Sequence, residues 1–334
     1  MTYDHRDPVL PPARGPVSAA VERYLTGDGP PPSPAAAAAA PPYDDDLQLA
    51  LYLCYELHYR GFAGVSGDRE WDCALLRVRA ALEDRFLTAL RADVPARASV
   101  DDALAELLVE PVEGDGVSHF LRDEGTLEQL REYAALRSVY HLKEADPHAW
   151  VLPRLWGRAK AAMAAVEYDE YGGGRADRVH AVLFADLMAD LGLDTAYGRY
   201  LDAACAEVLA TVNLMSLFGL HRSLRGALVG HFAAVEITSS PGSRRLADAL
   251  RRTGAGPAAV RFYDEHVEAD AVHEQVVRHE VIAGLLGAEP GLAPDVAFGI
   301  DATGLLEGRL GDRLLTAWRS GRSALRLRPE PVPG

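Results

Sequence analysis

From Asp44 to about residue 325 the chain keeps one hydrophobic period, that of the α-helix, and almost never alternates as a strand does. No alternating β-branched run is longer than four residues, so a sheet has nothing to be built from. Ala, Leu, Val and Arg dominate this stretch and aromatics make up only 7% of the chain. Alanine and straight-chain residues lose least on entering a helix. The fold class expected is therefore all-α.

Helices are expected at about 44–61, 68–92, 102–109, 126–143, 147–169, 175–191, 195–218, 220–237, 241–253, 257–286 and 303–321. Asp101 can cap one of them and Ser240 another, with Pro241 at its first position, while Gly192 and Gly254 follow the ends of others. No internal repeat interrupts this order, so residues 43–325 read as one domain. Residues 1–42 hold PPARGP and GPPPSPAAAAAAPP with few large apolar side chains. Most of that segment is expected to be flexible, with a short helix near Val17–Leu25 able to dock. Residues 326–334 form a tail.

A net charge of −15 and a pI near 5.2 set the chain against phosphate backbones, so nucleic acid is not an expected partner. No apolar run approaches the roughly 18 residues of a membrane-spanning helix. The opening MTYDHRDP is charged, unlike a secretory signal. Cys54, Cys73 and Cys205 are scattered with no CxxC, as buried thiols of a reducing compartment would be. A cytoplasmic protein acting on a small molecule is the expectation.

Three stretches carry chemistry. In RFYDEHVEADAVHEQVVRHE, His266, Asp270 and His273 are spaced by four and three residues. On a helix they fall within about 60° of arc along one stripe. Two imidazoles and a carboxylate there suit Fe, Mn or Zn. In VEYDEYGGGRADRVHAVLF, Asp177 and His180 form the carboxylate-x-x-His pair by which helical bundles aim two ligands at one metal. Glu170 lies beyond Gly172-Gly173-Gly174, a run that breaks a helix. In LCYELHYRGF, Glu56 sits on an otherwise apolar helix face, where a carboxylate is costly unless paired or coordinated. Seven converging donors exceed the three or four that one zinc needs and point to two metals.

The order Glu, then Glu-x6-carboxylate-x2-His, then His-x3-Asp-x2-His, together with ELHYRGF and EYGGGRADRVH, resembles the haem-oxygenase-like di-iron oxidases over about residues 44–290. The resemblance implies a bundle of about seven core helices with accessory helices. It implies two Fe(II) ions held by Glu56, Glu170, Asp177, His180, His266, Asp270 and His273, which would also be the catalytic residues. O2 is the implied co-substrate, with an external electron donor such as a reductase, and a homodimer is an open partner. Asp177 stands where that family commonly has glutamate, so one iron is expected to bind less tightly.

Beyond these, Arg222 and Arg225 lie one turn apart and can clamp a substrate carboxylate. His231 and Glu236 diverge on the same helix and can each meet a substrate. Glu167 and His58 are candidates for supporting the metal ligands. Phosphate loops, Rossmann glycines and nucleophile elbows are absent. The function expected is an O2-dependent non-haem di-iron oxidase of a small amino acid or amine in specialised metabolism. Its reaction is N-oxygenation or aliphatic C–H activation (desaturation, cyclisation or C–C cleavage). The alternative is a metal-free or haem-binding helical protein of the same fold with a binding role.

Overall fold

The computed structural model describes residues 7–97, 99–109 and 114–327. Among them there is no strand. The α-helices run α1 Pro16–Thr26, α2 Pro34–Ala39, α3 Asp45–Glu56, α4 Cys73–Asp93, α5 Val100–Leu107, α6 Val117–Asp123 and α7 Leu127–His141. They continue as α8 Asp146–Ala149, α9 Gly157–Glu170, α10 His180–Asp190, α11 Ala206–Leu220, α12 Arg225–Thr253, α13 Pro257–Val276, α14 Ala283–Ala288 and α15 Ala293–Arg319. A π-helical turn, Val277–Ile282, joins α13 to α14.

Helix α12 is the spine of the bundle, with α13 and α15 along it. Helix α10 packs on α13 and α7, while α11 packs on α3, α15, α12 and α7. Helix α11 is buried nearly all round, as a helix without a polar face must be. Its Asn213 is matched by the Gln48 side chain and carbonyl of α3, at 2.8 and 2.9 Å. The α12–α15 crossing brings backbones together at two glycines. A Cβ on Gly230 would collide with the Val296 carbonyl, and one on Gly299 with the Ala227 carbonyl.

Two helices expected at 220–237 and 241–253 are one. Helix α12 runs through Pro241, giving up one backbone bond, and Ser240 donates to the Val267 carbonyl of α13 (3.1 Å) instead of capping. Ser99, not Asp101, caps α5. Residues 7–42 are not the loose segment their composition suggested. Val17, Val21 and Leu25 of α1 are buried, and α1 packs against α3. Asp46 of α3 accepts from the backbone of Val17 (2.9 Å) and Ser18 (2.7 Å), satisfying donors that a helix start leaves open. At the other end, Arg326 donates to the Ala203 carbonyl (2.8 Å). The rest of the tail expected from 326 lies outside the described residues after Leu327, as do residues 1–6 of the N-terminal segment.

Candidate metal centre

Five elements bring chemistry to one place in the bundle. Helix α13 presents His266, Asp270 and His273, all buried, on the single stripe their spacing requires. Helix α9 ends at Glu170 and α10 begins at His180. Between them Gly172, Gly173 and Gly174 have φ of 76°, 61° and 79°, a left-handed turn that only glycine makes without strain. A Cβ on Gly172 would also stand 2.7 Å from the Arg178 backbone. This reversal leaves His180 Nδ1 2.7 Å from Glu170 Oε2. Glu144 comes from the turn after α7, and Glu236 from α12.

The donors fall into two groups. Glu144, His180 and His266 form one; Glu170, Glu236, Asp270 and His273 form the other. Within each group the donor atoms lie within 4.8 Å of one another, and all seven residues are buried. Glu170 joins the groups: Oε2 faces His180 and Oε1 lies 3.5 Å from His273 Nδ1. One carboxylate with an oxygen toward each group is how two cations are held as a pair.

Neighbouring bonds aim the donors inward. His266 Nδ1 donates to the Phe262 carbonyl at 2.8 Å, so Nε2 is the nitrogen turned toward the other donors and free to coordinate a metal. That Nε2 is buried without a hydrogen-bond partner, 3.8 Å from Glu144 Oε1. His141 donates to Glu144 Oε1 at 2.8 Å, leaving Glu144 Oε2 buried and unpartnered. Asp270 Oδ2 is in the same condition. His180 Nδ1 stands 2.7 Å from Glu170 Oε2 without the geometry of a hydrogen bond, so the two atoms converge on one point. Orphaned buried donors that converge fit a metal ion better than a hydrogen-bond network. Four carboxylates and three imidazoles are a donor set suited to iron.

The charges lean the same way. Burial lifts the Glu236 carboxyl, and with the nearby Asp270 and Glu170 it reaches about 8 even though His273 opposes the rise. Burial lowers His266, but Glu144, Asp270 and Glu170 outweigh it and carry the imidazole to about 10. His273 is likewise depressed by burial and carried to about 11 by Asp270, Glu236 and Glu170. Acids crowded in low dielectric call for positive charge, and protons supply it where a cation does not. Glu167 is buried beside them with neither oxygen partnered. Burial, Glu170 and Glu236 push it up to about 9.

Five of the seven residues expected as ligands meet here: Glu170, His180, His266, Asp270 and His273. Glu56 does not. It is fully buried, but its Oε2 takes the Lys143 ammonium at 2.7 Å and its Oε1 the Tyr197 hydroxyl at 2.7 Å. Lys143 in turn lies 4.3 Å from the Tyr59 ring centre. Asp177 does not either. Its side chain is 75% exposed beside Arg175, because the glycine turn directs the 176–178 segment outward. The Asp177-x-x-His180 pair is therefore not a pair in space, and its shortened side chain has no bearing on either group.

Their places are taken by Glu144, which sequence reasoning missed, and Glu236, which it set aside for substrate. Glu144 stands where α7 has ended, next to Ala145 at φ 75°, so no periodicity reached it. The spacing His141-x-x-Glu144 was the one available signal. Arg222 is exposed, and Arg225 is paired with Glu289; neither reaches the site as a clamp. His58 is held by Glu70 (3.0 Å) and Arg79, away from both groups. His231 is buried against His148.

A cavity of about 640 Å³ opens onto the donors, lined by Glu144, Glu170, Glu236, His266 and Asp270 and walled by Tyr140, Phe232 and Phe262. The family model for iron-containing redox enzymes matches residues 131–308. The chain belongs to this family. All seven clustered donors lie inside the matched range, and Glu56 lies outside it. The chain is also similar to a nitrosourea synthase from Streptomyces achromogenes subsp. streptozoticus, 26% identical over 195 residues. That match covers 57% of this chain and 41% of the relative, so the chain spans less than half of the relative's length.

Proposed function

We propose that this iron-containing redox enzyme is an O2-dependent non-haem di-iron oxidase that oxidises the nitrogen of a small amine or amino acid. The observation that carries this reading is the pair of buried donor groups sharing Glu170. Glu144, His180 and His266 would hold one iron, and Glu236, Asp270 and His273 the other, with Glu170 between them. Ferrous ions bound there supply Lewis acidity and electrons for the reduction of O2.

The chain's own residues do the rest. His141 and the Phe262 carbonyl fix the orientation of Glu144 and His266, and Asp169 lies 3.4 Å from the outer nitrogen of His273. Such supporting contacts hold ligand geometry. Tyr140, Phe232 and Phe262 give the cavity an aromatic wall beside the donors. N-oxygenation is preferred to aliphatic C–H chemistry because the relative's name is that of an enzyme making a nitrosourea, a product that carries an oxidised nitrogen.

The test is to load the metal-free protein with Fe(II) under anaerobic conditions, then mix it with O2 and a panel of amino acids and amines. About two irons per chain are expected, with O2 consumption that depends on an amine and a product heavier by one oxygen atom. A product lighter by two hydrogens would move the assignment to C–H chemistry. A Soret band, or iron uptake unchanged by His266→Ala and His273→Ala, would refute the di-iron reading.

A further inference from the structure

A hydrogen-bond relay behind the cavity fixes the chemistry of one of its walls. Thr303 of α15 donates its hydroxyl proton to the Gly299 carbonyl at 2.7 Å; were the proton elsewhere, two oxygens would face each other as acceptors. The same oxygen is 2.8 Å from His231 Nδ1, so His231 Nδ1 carries hydrogen and donates to it. Burial lowers His231 to about 4, so the ring is neutral and its Nε2 is a bare acceptor. His231 Nε2 lies 3.2 Å from His148 Nε2, which must then be the donor. His148 is neutral too: burial and the neighbouring His231 hold it well below the ordinary histidine range. With its proton on Nε2, its Nδ1 is a lone pair. That nitrogen meets no hydrogen-bond partner among the described residues, and it is not one of the sealed, unpartnered buried atoms. His148 lines the cavity together with Glu144, and Tyr140 and Phe232 hold its ring in contacts 6.0 and 5.0 Å between centres.

We propose that His148 offers its bare Nδ1 to the cavity as the acceptor that binds an N–H of an amine substrate beside the metal-facing carboxylates. Thr303 and His231 act through it, by holding the tautomer. Because His148 has no proton on that nitrogen and does not take one up at neutral pH, it binds and orients a donor and does not remove its proton. It selects for amines that keep at least one N–H. This rests on the di-iron reading for what lies beside the cavity; the relay itself stands on protein contacts alone.

The test uses the full chain, labelled with 15N-histidine and loaded with Zn(II) as a diamagnetic ion, and two probes of equal charge. Benzylamine has N–H donors and an aromatic body suited to the walls; benzyltrimethylammonium has no donor. Two-bond 1H–15N spectra are expected to show His231 protonated on Nδ1 and His148 on Nε2. Benzylamine should shift the His148 Nδ1 resonance, and the trimethyl analogue should not. His148→Phe should weaken benzylamine about tenfold, the loss of one charge-assisted hydrogen bond, and leave the analogue and the zinc content unchanged. Thr303→Val should release the tautomer and weaken benzylamine, with Thr303→Ser restoring both; this pair decides the matter where His148→Phe does not fold. Hydrogen on His148 Nδ1, no benzylamine-dependent shift, or equal loss for both probes would overturn the proposal. Absent metal uptake with the tautomer pattern intact would count against the di-iron reading and not against the relay.

Discussion

Replacing Glu56 separates two accounts of a buried carboxylate. If Glu56 serves Lys143 and not iron, Glu56→Gln leaves an ammonium buried against Tyr52 and Tyr59 without the carboxylate it is hydrogen-bonded to. Both side chains are at most 1% exposed and 2.7 Å apart, so solvent does little to screen the loss. Removing one partner of such a pair costs about 3–5 kcal/mol. Unfolding entropy of about 2.1 cal/mol/K per residue amounts to roughly 0.7 kcal/mol/K for a chain of 334 residues. The midpoint of thermal unfolding should therefore fall by about 4–7 °C. Calorimetry on the iron-loaded protein, with ferrozine iron analysis of the same samples, is the assay. The iron content should stay at that of the parent. Glu56→Gln combined with Lys143→Met should recover at least half of the lost stability, since it leaves no lone charge buried. An unfolding midpoint that does not move, with half the iron gone, would refute this account and return Glu56 to the metal.

Other outcomes follow from the same geometry. Glu144→Ala and His266→Ala should each lower ferrozine-measured iron to about one per chain, since each removes a donor of the same group. Asp177→Asn should leave iron content unchanged and stability within about 0.5 kcal/mol, which denaturant unfolding will check; a loss of iron would restore Asp177 as a ligand. Asp72 caps α4 through Ala74 (2.8 Å) and Leu75 (3.1 Å). Burial pushes its carboxyl up, but hydrogen bonds from Leu75, Tyr24, Ala74 and Arg69 outweigh it and lower the value. A lowered carboxylate stabilises above its unfolded pKa and stops doing so as pH falls through the folded one. Asp72→Ala should thus cost about 1 kcal/mol at neutral pH and converge with the parent below about pH 4; a gap that persists at pH 2 would contradict the assignment.

The helical class and the α13 stripe were legible because both are local. A period of 3.6 places His266, Asp270 and His273 on one face whatever the rest of the chain does. The break at Gly172–Gly174 was legible as a break, but not its direction. Left-handed φ at three successive residues turned His180 in and Asp177 out, although both stand in a pattern that a continuous helix would have aligned. Pro241 misled in the opposite sense, since packing of α12 on α13 and α15 carried the helix through it.

The sequence by itself determined that this chain is a helical bundle with one metal-competent stripe, because helix propensity and periodicity act within a few residues of each other. Only the tertiary structure decided which carboxylates join that stripe. Glu56 was neutralised by a lysine 87 positions away, Glu144 was delivered by a turn, and Glu236 by the long helix against which α13 lies. The fate of a buried charge is set by whatever partner the fold brings to it, and that partner is rarely a neighbour in the chain.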